Sequence, residues 1–246
     1  MGLIAAGLLF HSSRAFAQMI YTDGHGDLGV EYTPGETEFE AHWGIGAGSI
    51  VDGDPLPGFE EVEFAPDELV ARLFGTASVS NASVASALGV DTGYTAYRTG
   101  NTSYPPNLGF ALEEVGMPED WLDESITLTL TGFSGPGEIA ISQTISGFGT
   151  IVWFSSNGDA FTVNDNQWAF GVGGHQHLDW WFTEKGSYTL EFTWTGTYIG
   201  GENPVDVQGS GTFGFQVNMI PEPHILGLLV AGFLVFIVFL RRPSRI

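Results

Sequence analysis

Four of the six histidines stand where strand spacing can bring imidazoles together. In Gly174-His175-Gln176-His177-Leu178-Asp179-Trp180-Trp181-Phe182, alternation puts Leu178, Trp180 and Phe182 on an apolar side. His175, His177 and Asp179 then share the other side, roughly 6–7 Å from one to the next. Two imidazoles so placed can converge on one divalent ion. Near the N-terminus, Gly24-His25-Gly26-Asp27 repeats the i, i+2 relation with an imidazole and a carboxylate, and His42 lies on the acidic side of its own alternating segment. If these segments meet, His25, Asp27, His42, His175 and His177 form one water-facing metal site. Nitrogen and oxygen donors without sulfur suit Zn²⁺ or Mn²⁺, with Ca²⁺ a weaker alternative. Histidines beside glycines at strand ends serve equally well as hydrogen-bond partners of loop carbonyls, so the spacing alone leaves both roles open.

Other chemistry finds less support. The chain has no cysteine, which removes disulfides, thiolate metal sites and thiol nucleophiles together. Glu60-Glu61, Glu113-Glu114 and Asp52 with Asp54 are carboxylate pairs of the kind glycosidases need, but among 29 acidic residues such pairs arise by chance and carry no weight. Asp52-Gly53-Asp54 and Asn164-Asp165-Asn166 do not complete a calcium loop. There is no G-x-S-x-G, no phosphate-cradling G-x-x-x-x-G-K and no H-E-x-x-H, so the expectation is a protein that is not an enzyme, a secreted hydrolase ranking third. Seven tryptophans raise a carbohydrate-binding alternative. Trp43, Trp180 and Trp194 fall on apolar sides; Trp153 and Trp181 are the candidates for exposed rings that stack on sugar.

The elements that must position these groups are strands. Phe39, Ala41 and Trp43 alternate with Glu38, Glu40 and His42; Ile126, Leu128 and Leu130 alternate with threonines; Tyr188, Leu190, Phe192 and Trp194 do likewise, and Phe213, Phe215 and Val217 close the series. Each strand offers one apolar face that another sheet must cover, and glycine-rich breaks supply turns. The expectation is an all-β, antiparallel β-sandwich over residues 18–218, with helical interruptions at 66–74 and 118–123, where proline precedes acidic residues. Residues 79–104, rich in Ser, Thr, Asn and Gly, read as a long loop or loosely packed strands, with Asn81 a polar loop residue. The net charge of −22 disfavours nucleic acid and anionic headgroups and favours cations.

The two ends suggest export. An apolar run from Leu3 to Phe10 followed by Ala15-Phe16-Ala17 reads as a signal peptide over residues 1–17. Residues 225–240 are uninterruptedly apolar and precede Arg241-Arg242; as a helix they span about 24 Å, near the length a transmembrane helix needs. The arginines would hold that end in the cytoplasm. With Pro221-Glu222-Pro223 immediately before it, the segment 219–246 resembles a PEP-CTERM sorting signal. That resemblance implies an exosortase-type sorting enzyme as partner, the inner membrane in transit, cleavage near the triplet, and arrival at the cell surface or in an extracellular polysaccharide matrix. Between the ends, Asp23-Gly24-His25-Gly26-Asp27-Leu28, Ser134-Gly135-Pro136-Gly137-Glu138 and His175-x-His177 leading into Trp181-Phe182-Thr183 and Gly186-Ser187-Tyr188-Thr189-Leu190 resemble the choice-of-anchor M surface-anchored proteins. This second resemblance implies a β-rich ectodomain and a surface location, with the histidines inside the matching segments.

Overall fold

The computed structural model describes residues 18–157 and 166–219. The proposed signal peptide, the Pro221-Glu222-Pro223 triplet, the apolar segment 225–240 and Arg241-Arg242 lie outside the described residues. No helix among the described residues is long and apolar enough to cross a membrane.

Strands dominate. The first third contains β1 (Met19–Asp23), β2 (His25–Glu31), β3 (Glu40–Ile45), β4 (Ile50–Val51), β5 (Asp54–Pro55), β6 (Val62–Phe64), β7 (Leu69–Leu73) and β8 (Thr76–Ser78). After helix α1 (Ala82–Ala87) come β9 (Thr95–Thr99), β10 (Asn107–Ala111), β11 (Ser125–Ser134), β12 (Ile139–Ile145) and β13 (Gly149–Ser155). The last third adds β14 (Gln167–Gly171), β15 (His175–His177), β16 (Asp179–Phe182), β17 (Gly186–Tyr198) and β18 (Val205–Val217). They form an eight-stranded sheet, β14-β11-β17-β18-β7-β1-β4-β5, and two five-stranded sheets, β15-β10-β2-β3-β6 and β13-β12-β16-β9-β8.

The core lies between the large sheet and the two smaller ones, an arrangement consistent with a β-sandwich. Phe192 of β17 meets Phe110 of β10 at 5.1 Å and Phe154 of β13 at 5.5 Å between ring centroids. Phe215 of β18 meets Trp180 of β16 at 5.4 Å, and Phe213 meets Trp43 of β3 at 5.0 Å. These rings are fully buried, each contributing on the order of 2–3 kcal/mol of apolar transfer. The chain passes from one small sheet to the other at Leu178, between β15 and β16, so burial of Leu178 ties the His175–His177 strand to the core.

Three local expectations are corrected. Pairing is mixed rather than antiparallel: β7 runs parallel to both β1 and β18, and β2 runs parallel to β10. Parallel neighbours need long crossovers, and here each connection runs through several strands of more than one sheet. Residues 66–74 are not a helix, because Glu68 closes a tight turn by accepting from the Ala65 amide and the following Leu69–Leu73 run is a central strand buried on both faces. Conversely, Asn81 is a helix cap: its side chain accepts from the amides of Ser83 and Val84 and starts α1, whose Val84 and Ala85 pack near Trp181. At 118–123 only two short 3-10 turns form, Pro118–Asp120 and Leu122–Glu124.

Candidate metal centre

The candidate ligands stand on the outer face of the sheet β15-β10-β2-β3-β6, and cross-strand register decides which of them meet. One row runs His177, Gly109, Asp27, Gly44, Glu63. The next runs His175, Ala111, Gly29, His42. Strand β10 separates β2 from β15, so Asp27 and His177 start roughly 10 Å apart at the backbone. They converge because the residue between them is glycine: a methyl group at Gly109 would collide with Oδ1 of Asp27. Gly29 plays the same part for His42, whose Nε2 would lie 2.7 Å from an added Cβ.

Four side chains gather over this floor. His25, Asp27, His175 and His177 each offer a donor atom, all within 4.8 Å of one another. The three imidazole centroids form a near-equilateral triangle with sides of 4.9, 4.8 and 4.9 Å. Nε2 of His25 and Nε2 of His175 are 3.0 Å apart, and Oδ2 of Asp27 lies 3.2 Å from the first and 3.0 Å from the second. Donors bound at about 2.0–2.1 Å to one ion stand roughly 3.0–3.4 Å apart, so this triangle already has the edges of a coordination polyhedron. On the far side of each ring, Nδ1 of His175 is 3.6 Å from Glu113 and Nδ1 of His25 is 4.0 Å from Glu61. At these distances the carboxylates act as nearby charges and not as hydrogen-bond partners of the rings.

Asp27 is the buried carboxylate of the group. It is 1% exposed, and both its oxygens are buried without a hydrogen bond. An uncompensated buried carboxylate costs several kcal/mol. Burial first, then the charges of Glu61 and Glu113, push its carboxyl up to about 8. Burial and the neighbouring rings of His25 and His175 push His177 down to about 4, outweighing the Leu108 carbonyl that favours its protonated form. Burial and His175 also lower His25 against the opposing pull of Glu113. The set is therefore two imidazoles kept neutral, with lone pairs free to coordinate, beside a carboxyl that a divalent ion would deprotonate.

His42 does not join this group. It sits one strand further from β15, 7% exposed, with Nε2 3.1 Å from Glu114, and groups with Glu63 and Glu114. Asp179 also departs: it binds Arg98, whose Nε donates to Oδ1 at 3.1 Å, and accepts from Asn101. Trp181 is not an exposed ring. It is 8% exposed, its Nε1 donates to Ser142, and the Arg98 guanidinium covers it at 4.8 Å, because β16 lies inside its sheet between β12 and β9. Trp153 is half-buried and stacked on Trp168 at 4.6 Å. Glu61, Glu113 and Glu114, which the sequence offers only as chance carboxylate pairs, wall the histidines together with Glu63, which sequence reasoning missed; the alternation of Glu61 and Glu63 was the available sign.

No protein-family model, curated protein or solved structure matches this chain.

Proposed function

We propose that this chain is an exported, non-catalytic surface or matrix protein whose working part is a divalent-metal site made by His25, Asp27, His175 and His177. The observation that carries the reading is the convergence of three imidazoles on a buried carboxylate that has no hydrogen bond. Four protein donors complete a tetrahedral shell, whereas catalytic zinc centres keep a position for water, which supports holding an ion over activating one. The side chains of His25 and His175 are 36% and 29% exposed, so the ion is reachable from solvent and suited to capture and release. Three nitrogens and one oxygen favour Zn²⁺ or Mn²⁺ over Ca²⁺. The surface address rests on the terminal sequences and their resemblance to a PEP-CTERM tail; an extracellular polysaccharide as partner rests on that tail alone, since Trp181 is covered.

Purified full-length protein, exposed to Zn²⁺, Mn²⁺ and Ca²⁺ together and then desalted, is expected to retain Zn²⁺ or Mn²⁺ by elemental analysis and to exclude Ca²⁺. At an ion concentration one hundred times Kd the midpoint of thermal unfolding should rise by roughly 5–10 °C, the equivalent of about 2.7 kcal/mol. Failure to retain any transition metal, with an unmoved midpoint, would overturn the proposal.

A further inference from the structure

The same trough carries donors that the four-ligand site does not use. A cavity of about 40 Å³ opens between Asp27, His42, Glu61, Glu113 and Glu114, over the floor formed by Gly29 and Gly44. That volume is too small for a sugar ring and ample for an ion with a water or two. Among the described residues, no lysine or arginine lines it. Among the described arginines, Arg98 is held by Asp179 and Arg72 by Gln216. Five carboxylates therefore face this region, those of Asp27, Glu61, Glu63, Glu113 and Glu114, and one divalent ion bound through Asp27 leaves most of that charge unbalanced. Asp27, buried and without a hydrogen bond, lines the cavity from its floor and joins it to the first site. Burial first, and then neighbouring carboxylates including Glu63, raise Glu61 and Glu114, while His42 draws both the other way.

We propose that the trough takes a second divalent cation, held by His42, Glu63 and Glu114, beside the site made by His25, Asp27, His175 and His177. The donors of His42, Glu63 and Glu114 lie within 4.8 Å of one another, and none belongs to the first set. Glu63 shares a cross-strand row with Asp27, Gly44 standing between them, so the two sites are neighbours on one sheet face. One nitrogen with two carboxylates makes a harder donor set than three nitrogens with one, so this position favours Mn²⁺ where the first favours Zn²⁺. It deepens the metal-binding reading without sharing its ligands.

The test uses purified full-length protein preloaded with one equivalent of Zn²⁺, desalted, and titrated with Mn²⁺ while electron paramagnetic resonance follows the free ion. One further equivalent of Mn²⁺ should bind. Glu63→Gln, at an exposed position where folding is little disturbed, and His42→Gln should each weaken it at least tenfold while Zn²⁺ retention stays unchanged. If the Zn²⁺-loaded protein takes up no Mn²⁺, or if both variants bind it as the parent does, the second site is overturned. Should Zn²⁺ not be retained while Mn²⁺ binding is lost in the two variants, the second site stands and the four-ligand reading fails.

Discussion

Asp27→Asn is expected to act in opposite directions on metal binding and on the stability of the metal-free protein. Asparagine keeps the shape but cannot carry the charge, so affinity for the first equivalent of Zn²⁺ should fall by at least two orders of magnitude. Stability without metal should instead lose its pH dependence above neutrality. The sign follows from linkage. The Asp27 carboxyl lies near 3.8 when unfolded and at about 8 when folded, so between these values the native state holds a proton that the unfolded state has released. Its stabilising contribution is complete below the lower value and is lost as pH rises through the upper one. His177, pushed from 6.5 to about 4, works in the opposite sense, but only below 6.5. From pH 6.5 to 8 the Asp27 effect is unopposed by His177, and the metal-free parent should lose about 2 kcal/mol. Thermal unfolding at half-unit pH steps should show the parent's midpoint falling by roughly 4–8 °C across that window while the variant's stays level. A parent curve as flat as the variant's would show that Asp27 is already ionised and compensated.

Metal affinity should follow the same proton with the opposite slope. Binding requires Asp27 ionised, so below about 8 each ion displaces close to one proton, and the apparent affinity should climb tenfold per pH unit. Between pH 6.5 and 8 that amounts to roughly a fifteen-fold gain, levelling off above. Calorimetric titration in buffers of different ionisation heat checks the stoichiometry directly: about one proton released per Zn²⁺ at pH 7, and far less at pH 9. Release that does not change between the two would mean the carboxyl of Asp27 does not gate binding. With the ion bound, Asp27 is ionised in both the folded and the unfolded state across this window, so its contribution to the stability slope vanishes.

Much of the architecture is legible in local alternation. Residues such as Ile126, Leu128, Leu130, Tyr188, Phe192 and Phe213 are buried where period-two patterning places them, because a strand with one wet face writes its orientation into every second residue. Strand β7 escaped because a strand buried on both faces has no alternation to read, and its preceding proline and acids imitate a helix start. The parallel pairs escaped because pairing between distant segments leaves no local mark. At the site, the i, i+2 spacing of His25 with Asp27 and of His175 with His177 predicts shared faces, and these four side chains do converge. Which histidine belongs to which group depends on strand order. Strand β10 lies between β2 and β15 and presents Gly109 there, while β3 with His42 lies on the other side. The glutamate wall was hidden by abundance, since four residues among 29 acids stand out only once Gly29 and Gly44 are seen to leave the floor open beneath them.

Metal binding at the four-ligand site of this protein requires three rings and one carboxylate to close on a single ion. X-ray absorption at the zinc edge, on protein carrying one equivalent, reads that shell directly. The expected spectrum has about four nitrogen and oxygen neighbours at about 2.0–2.1 Å, no sulfur near 2.3 Å, and outer-shell scattering from three imidazoles that drops to two in His177→Ala. An all-oxygen shell without imidazole scattering, or a spectrum that His177→Ala leaves unchanged, would contradict it.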